Sequence, residues 1–149
     1  MLDAYILYKN IKINNVMCYS IFLIIISILS YDIWFYISHV LLHTKFLYKY
    51  HKEHHVNTKP RFLDTYVGHI LEGPFQGIGM FVPYLFISYT YTQTGLILMF
   101  LNIRGMMRHD DRCSFIIGNH HLIHHQYPNY NYGEYWIDYL CKTNKLIST

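Results

Sequence analysis

The stretch DIWFYISHVLLHTKFLYKYHKEHH, residues 32–55, decides the fold, because it joins a long apolar segment to five closely spaced histidines. Immediately upstream, residues 16–37 form a run of 22 residues with a single formal charge, Asp32. About 20 apolar residues are enough to cross a bilayer as a helix. No helix breaker separates this run from the first histidines. We therefore predict one long helix over about residues 16–47, which begins in lipid and ends at the membrane surface.

A second apolar block covers residues 78–103, which are 26 residues without a formal charge. A straight helix of that length would measure about 39 Å, more than the ~30 Å hydrocarbon core of a bilayer. Pro83, a polar stretch at 88–94 and Gly95 interrupt the block. The pattern favours a helical hairpin with arms over about residues 70–87 and 92–108. We expect an all-α integral membrane protein, with one long N-terminal transmembrane helix, this hairpin and a histidine-rich helical cap.

The composition excludes some classes of function. Charged residues make up 14% of the chain, below the soluble average of about 25%, and hydrophobic residues make up 52%. A formal net charge of +3 is too small to indicate nucleic-acid binding. Three scattered cysteines do not form a disulfide framework. Ten of the 12 Lys and Arg residues lie in the segments after the two apolar blocks, so the positive-inside rule places the histidine side in the cytosol.

Eleven histidines in 149 residues are the most informative feature, and none lies before residue 39. Most fall into three sets with the spacing of one helical face, H-x3-H, H-x2-H-H and H-x2-H-H: His39 and His43; His51, His54 and His55; His121, His124 and His125. His120 precedes the third set. Imidazole is a ligand for zinc, iron, copper and nickel. Three such sets on one side of the membrane therefore predict a site for a pair of metal ions.

Two further histidines are each accompanied by an acidic residue. His69 is followed by Glu72, and His109 by Asp110. A carboxylate can orient an imidazole through its second nitrogen. An isolated histidine is usually a surface or satisfied core residue, so these two are weaker candidates than the three sets. A pH-sensing role is an alternative reading of many histidines, but it would not require helical spacing.

These motifs, in this order, resemble the fatty acid hydroxylase/sterol desaturase superfamily of membrane di-iron oxygenases, and most closely its sterol C5-desaturase branch. The stretch 32–55 resembles the first two histidine boxes. H-I-L-E at 69–72 resembles the H-P-L-E element, and His109-Asp110 resembles the H-D histidine. The segment 121–133, H-L-I-H-H followed by N-Y-N-Y-G, resembles the third box, and W-I-D at 136–138 the family's W-x-D. The similarity covers about residues 31–143.

The resemblance implies one domain over residues 1–149, in an endoplasmic reticulum-like membrane with its metal site on the cytosolic side. It implies two non-haem iron ions, with zinc possible in purified samples. It also implies O2, a cytochrome b5-type electron donor, and a sterol or fatty acyl substrate that is hydroxylated or desaturated. The ligands it implies are ten: His39, His43, His51, His54, His55, His69, His109, His121, His124 and His125. His120 is a possible additional ligand, and Glu72 and Asp110 would support the ligands from behind.

The chain departs from the family pattern at several places. Ile70 replaces the proline that follows the histidine of the H-P-L-E element. Only 12 positions separate His109 from His121. The chain is short, and we expect it to lack the N-terminal hairpin that many members have. The C-terminal motif is altered to W-I-D-Y-L-C-K-T. A metal-binding membrane homologue without catalytic activity is therefore the alternative to a lipid oxidase.

Two other classes compete with the oxidase reading. Zinc also accepts histidine-only sites and activates water, so a zinc hydrolase is an alternative. A metal transporter would require polar groups within its spans, and Asp32 is the only formal charge there. Trp34, Tyr36 and Tyr132 are candidates for a lipid path, although aromatic residues at such positions commonly anchor a protein in the membrane interface.

Overall fold

The computed structural model describes residues 2–146, with side chains from residue 17 onward. Within that range the chain is helical and contains no strand. The α-helices are α1 (Leu2–Leu42), α2 (Glu72–Phe81), α3 (Tyr91–Arg108), α4 (Ser114–Ile117), α5 (His120–Gln126) and α6 (Tyr135–Cys141). Short 3-10 helices occupy Tyr48–Tyr50, His54–Val56, Phe62–Tyr66, Val82–Leu85 and Asp111–Cys113.

Helix α1 contains the apolar segment found in the sequence. Its stretch Met17–Leu42 is long and apolar enough to cross a membrane, and no other helix among residues 2–146 meets that description. The predicted end of this helix, near residue 47, was wrong. Both the amide and the hydroxyl of Thr44 donate to the carbonyl of Leu41, at 3.0 and 2.6 Å, and this tight turn ends the helix at Leu42.

Helices α2 and α3 lie along α1 and run in opposite directions. The Trp34 indole donates to the Phe75 carbonyl at 2.7 Å, whereas the Gln93 amide donates to Ser20 at 3.1 Å, nearer the start of α1. Arg104 of α3 then pairs with Asp32. Helix α2 is therefore antiparallel to α1 and α3 is parallel to it. We call this pair the α2–α3 hairpin.

The turn of the hairpin is built from local hydrogen bonds and aromatic stacking. The ring of Tyr84 stacks on that of Tyr89, with centroids 4.0 Å apart, and its hydroxyl donates to Thr94 at 2.8 Å. Thr90 caps α3, because its side chain accepts from the Gln93 amide nitrogen while the Gln93 side chain reaches back to Thr90. These contacts place α3 beside α2.

Close approach of α1 and α2 depends on Gly79. A Cβ at this position would lie 2.3 Å from the Cβ of Trp34 and 2.9 Å from the Ser30 carbonyl oxygen. The Ser30 hydroxyl donates to the Gly79 carbonyl at 2.7 Å. Beyond this contact, Met80, Ile97 and Leu101 form a small buried core. The opposite face of α1 exposes a series of apolar side chains: Ile21, Phe22, Ile25, Leu29 and Ile33.

The three histidine sets lie on different kinds of backbone. His39 is in the last turn of α1, and the amide of His43 still donates to the His39 carbonyl at 3.1 Å, so the two share a face as predicted. The third set lies on α5, which confirms a helix there. The second set was wrongly expected on one α-helix. His51 follows the 3-10 helix Tyr48–Tyr50, and His54 and His55 begin the next one, His54–Val56.

Candidate metal centre

Five histidines bring their ring nitrogens together at the end of α1. One nitrogen from each lies within 4.8 Å of the others: His39, His43, His51, His55 and His124. The shortest contacts join Nε2 atoms. That of His39 is 2.9 Å from that of His51, and that of His124 is 3.1 Å from those of His43 and His55. We call this set the five-histidine group.

Four buried histidines form a second set beside the first, which we call the four-histidine group: His54, His109, His121 and His125. The Nε2 of His109 lies 2.9 Å from that of His54 and 3.1 Å from that of His121. The rings of His55 and His125 are 4.8 Å apart between centroids, so the two groups adjoin. The structure thus brings together nine of the ten histidines that the resemblance implied as ligands.

Backbone carbonyls fix the orientation of most of these rings. The Nδ1 of His39 contacts the Tyr132 carbonyl at 2.5 Å, and that of His124 contacts the Tyr130 carbonyl at 2.6 Å. Further Nδ1 contacts reach carbonyls from His54, His109 and His125. A carbonyl can only accept, so each Nδ1 carries the proton and each Nε2 keeps a lone pair. This is the arrangement that prepares histidine for metal binding.

The ring nitrogens of His54 and His109 face each other in an arrangement that suits a bound cation. Their Nδ1 atoms donate to the carbonyls of Val67 and Gly105, at 2.9 and 2.8 Å. In neutral imidazoles the two facing Nε2 atoms, 2.9 Å apart, therefore carry no proton and cannot hydrogen-bond to each other. Burial lowers the pKa of both rings, which disfavours a second proton. Two facing lone pairs at this distance are the geometry of neighbouring ligands on one metal ion.

The separation of the Nε2 atoms also matches metal coordination. Metal–imidazole bonds are about 2.1 Å long, so ligands at right angles have nitrogens about 3.0 Å apart, and tetrahedral ligands about 3.4 Å. The contacts in both groups range from 2.9 to 3.1 Å. Both groups can therefore hold a metal ion, and their spacing resembles right-angled coordination.

Burial keeps the histidines neutral at physiological pH. It lowers the pKa of His43 to about 4 and those of His55 and His109 to about 3, with further lowering from neighbouring imidazoles. The pKa values of His121 and His124 are lowered in the same way. Only a neutral imidazole offers a lone pair to a metal. The site is thus ready to bind a cation without first releasing protons.

Glu72 supports the five-histidine group from behind. One of its carboxylate oxygens lies 2.9 Å from the Nδ1 of His51, and both side chains are buried. The Nε2 of His51, on the other side of its ring, faces His39 and His55. The sequence analysis paired Glu72 with His69, whereas the structure places it beside His51.

Asp138 organises the loop that supplies two of the supporting carbonyls. It is fully buried and accepts from the amides of Tyr132 and Gly133, at 2.9 and 2.8 Å. It also contacts the Thr143 hydroxyl at 2.6 Å and the Nε2 of His120 at 3.0 Å. The sequence analysis noted Asp138 within W-I-D but gave it no role. Its position shows that it fixes the loop behind His39 and His124.

Three of the predicted residues lie elsewhere. His69 is outside both groups, where its Nδ1 accepts from the Leu71 amide at 3.2 Å. His120 contacts Asp138 instead of a metal group. Asp110 is buried but pairs with Arg112, at 2.6 Å, and not with a histidine. The geometry thus offers no support for His69 or His120 as ligands, and Asp110 supports the backbone near residue 62 through the Phe62 amide.

A buried cluster of charges lies below the histidines. Asp32 of α1 pairs with Arg104, and Arg108 pairs with Glu134, which precedes α6. The guanidinium of Arg108 also lies over the ring of Phe35, 5.3 Å from its centroid. The sequence analysis did not identify these partners, although a single acid within an apolar segment indicates a buried partner. The cluster joins α1, α3 and the C-terminal segment.

Two adjacent cavities lie between the α2–α3 hairpin and the histidines. A small cavity of about 50 Å³ is lined by histidines from both groups, together with Phe35, Thr65 and Gln76. A larger cavity of about 500 Å³ lies between α2 and α3 and shares Thr65 and Gln76 with the first. A mainly apolar cavity thus adjoins the small cavity at the candidate metal centre.

A helical chain with a membrane-length apolar helix and two adjoining groups of buried histidines defines a class, that of histidine-rich metal-binding membrane proteins. Comparison with known proteins identifies the family within this class. The family model described as fatty acid hydroxylase matches residues 24–143. The protein therefore belongs to the fatty acid hydroxylase family.

The curated relatives that match are enzymes of sterol metabolism by name. Human lathosterol oxidase is 30% identical over 132 residues, which cover 79% of this chain and 44% of that protein. The delta(7)-sterol 5(6)-desaturase of Leptosphaeria maculans is 32% identical over 111 residues, covering 70% of this chain and 31% of that protein. These matches support the sterol desaturase branch. The chain spans less than half the length of these relatives, and no solved structure matches it.

Proposed function

We propose that this protein oxidises a C–H bond of a membrane lipid with O2, at two iron ions held by its two histidine groups. The facing Nε2 atoms of His54 and His109, with both Nδ1 protons already donated, carry this proposal. They argue for a cation in the four-histidine group, and the adjoining five-histidine group offers equivalent nitrogens for a second. Membership in the fatty acid hydroxylase family supports lipid oxidation as the activity.

The donor set favours iron over zinc. Protein zinc sites are mostly tetrahedral, whereas the 2.9–3.1 Å contacts between ligand nitrogens fit angles near 90°. Nine neutral imidazoles can hold either metal, so the preference for iron rests on these angles. A saturated C–H bond does not react with side-chain acids, bases or nucleophiles, so the bound metals supply the oxidising chemistry.

The protein's own residues position the metals and exclude water. Hydrogen bonds from Nδ1 to carbonyls fix the rings before any metal arrives, which lowers the cost of ordering them on binding. Phe35 and the charge cluster of Asp32 and Arg108 close the inner side of the site. The apolar cavity between α2 and α3 would admit a lipid from the bilayer to the histidines. Because hydroxylation and desaturation begin at the same kind of C–H bond, either reaction fits this site.

We further propose that the substrate is a sterol-class lipid, since the relatives are named for sterol oxidation. The chain would act as one domain. Helix α1 would span the membrane, and the α2–α3 hairpin would enter and leave the bilayer on the cytosolic face. An endoplasmic reticulum-like membrane and a cytochrome b5-type electron donor complete the proposal. The ten Lys and Arg residues after the apolar blocks support this orientation.

A reconstituted reaction tests the proposal. Purified protein in lipid nanodiscs, loaded with Fe(II), would be supplied with O2, a reductase and cytochrome b5, and lipid products would be identified by mass spectrometry. We expect a hydroxylated or desaturated sterol, and none from a His54→Ala/His109→Ala variant. Two bound irons without any oxidised lipid would instead indicate a non-catalytic metal-binding homologue. A hydrolysed lipid, formed by zinc-loaded protein without O2 or reductant, would instead indicate a zinc hydrolase.

A further inference from the structure

The larger cavity opens on an apolar surface of the hairpin. It has a volume of about 500 Å³ and lies between α2, α3 and the 3-10 helix Phe62–Tyr66. Ile78, Phe81 and Leu98 line it and are also exposed at the surface of the protein. An opening framed by such side chains would face the acyl chains of a bilayer. Pockets of this size hold small ligands that are mainly apolar.

The inner end of this cavity narrows toward the histidines. Tyr31, Thr65, Gln76 and Gly105 line both this cavity and the small cavity of about 50 Å³ that reaches both histidine groups. We call these four residues the neck. A Cβ at Gly105 would lie 3.5 Å from the Thr65 hydroxyl, so the neck is closely packed on that side. A lipid that moved from the larger cavity toward the histidines would contact these four residues.

The neck contains two polar side chains without a protein partner. The adjacent Tyr66 hydroxyl donates to Asn102 at 3.2 Å. In contrast, neither the Gln76 amide nor the Thr65 hydroxyl makes a hydrogen bond within the part of the chain that the structure describes. Both are half-buried. When an apolar ligand fills the cavity and removes water, these groups are left unsatisfied unless the ligand supplies a partner, which costs about 1–3 kcal/mol for each group.

We infer that Gln76 and Thr65 bind a hydroxyl group of the lipid, and so select a substrate whose hydroxyl lies only a few bonds from the oxidised C–H bond. This inference rests on the proposed function. A 3-hydroxysterol oxidised in the neighbouring ring meets the requirement when its hydroxyl end enters first. A long acyl chain oxidised far from its head group does not, because it would place only methylene groups at the neck. Sites built to hydrogen-bond a hydroxyl strongly reject analogues that lack it.

Two glycines leave room for a fused ring system. Gly73 and Gly77 line the larger cavity on α2, and a Cβ at either position would meet nothing within 4 Å. Side chains there would project into open space and reduce the volume available to the ligand. We assign Gly77 the role of keeping the cavity wide enough for rings, while Gln76 and Thr65 of the neck bind the hydroxyl group.

Ligand binding without turnover tests the role of the neck. Full-length protein in nanodiscs, without reductant, would be titrated with a tritiated 3-hydroxysterol and with the matching 3-deoxysterol. We expect the wild-type protein to bind the hydroxysterol at least about fivefold more tightly, because the deoxysterol leaves at least one of the two polar groups without a partner. Gln76→Leu combined with Thr65→Val should remove this preference. Gln126→Leu, at an exposed position of α5, is the matched control and should retain it.

The outcomes separate this inference from the proposed function. A preference for the hydroxysterol that survives in the Gln76→Leu/Thr65→Val variant overturns the inference, as does equal binding of the two sterols by the wild-type protein. Metal content and product formation are measured on the same samples, so failure of lipid oxidation would be seen independently of ligand preference. Retained metal content in the variant would also establish that it is folded.

A second pair of variants tests the width of the cavity. Gly77→Leu should weaken binding of both sterols by at least about tenfold, because it places a side chain where the rings would lie. Gly95→Leu, on α3 and outside the cavity lining, adds the same side chain where a Cβ also meets nothing within 4 Å. We expect wild-type binding from this control. Unchanged binding by Gly77→Leu would contradict the assignment of this cavity to the ring system.

Discussion

Replacing Asp138 by asparagine should weaken metal binding in one histidine group and spare the other. The substitution keeps the shape of the side chain but converts one acceptor oxygen into an NH2 donor. Each oxygen of Asp138 receives two contacts, from Tyr132 and Thr143 on one side and from Gly133 and His120 on the other. In either orientation of the asparagine side chain, its NH2 group therefore faces the backbone N–H of Tyr132 or Gly133. Both groups are donors, so that hydrogen bond is lost.

The size of the effect follows from these contacts. A buried donor left without its acceptor costs about 1–3 kcal/mol, and the oxygen that is replaced serves two partners. We expect the free energy of unfolding to fall by about 2–4 kcal/mol. The loop at residues 130–133 also presents the carbonyls that orient His39 and His124. Loss of such outer support typically lowers metal affinity by about 10- to 100-fold.

Competition with a chelator would measure this affinity. Spectra of a cobalt-substituted sample would follow the two sites. Only the five-histidine group contains His39 and His124, so only the cobalt bound there should lose affinity. Asp111→Asn, at an exposed position, is the matched control and should behave as wild type. If Asp138→Asn retained wild-type affinity at both sites, or weakened the two sites equally, the reasoning about the supporting loop would be refuted.

Three further perturbations test other parts of the structure. Gly79→Ala should destabilise the protein by about 1–3 kcal/mol in thermal denaturation, because its Cβ would collide with Trp34, whereas Gly77→Ala should have little effect. Asp32→Asn should cost about 3 kcal/mol, since it leaves the buried Arg104 and Arg108 to share Glu134, which lies 3.8 Å from Arg104; recovery in a double variant with Arg104→Met would support this cause, and an unchanged single variant would exclude it. The metal-free protein should lose stability as pH falls below about 6.5, because histidines of the unfolded chain then bind protons while the buried rings of the folded protein stay neutral. The free energy of unfolding should fall by up to about 1.4 kcal/mol per pH unit for each such ring. The rings concerned are His43, His55 and His109. Unfolding midpoints in denaturant that stay constant from pH 7 to pH 5 would contradict this account.

Much of the metal centre could be predicted from the sequence, because helical spacing brings side chains to one face whatever the rest of the fold. His39 and His43 share the end of α1, and His121, His124 and His125 share α5. The second set lies at the site although the α-helix predicted for it was wrong. A 3-10 turn also brings residues three or four apart close together, so His51, His54 and His55 still reach the site.

Other features depended on contacts between segments that are distant in sequence. His69 matches the family motif, yet the chain turns it away from both groups, and no local pattern indicates that direction. The partners of Asp32 lie more than 70 residues away on α3. Asp138 acts through backbone amides, which carry no sequence signal. The shortened segment between His109 and His121 does not separate these residues, because their Nε2 atoms meet at 3.1 Å.

The most direct test of the central claim is the metal content of the purified full-length protein. Protein from iron-supplemented cells would be analysed by inductively coupled plasma mass spectrometry, beside a His124→Ala/His125→Ala variant that removes one ligand from each group. The account predicts about two irons per chain in the wild-type protein and loss of both in the variant, with the helical content unchanged. Well-folded wild-type protein without stoichiometric metal would contradict it.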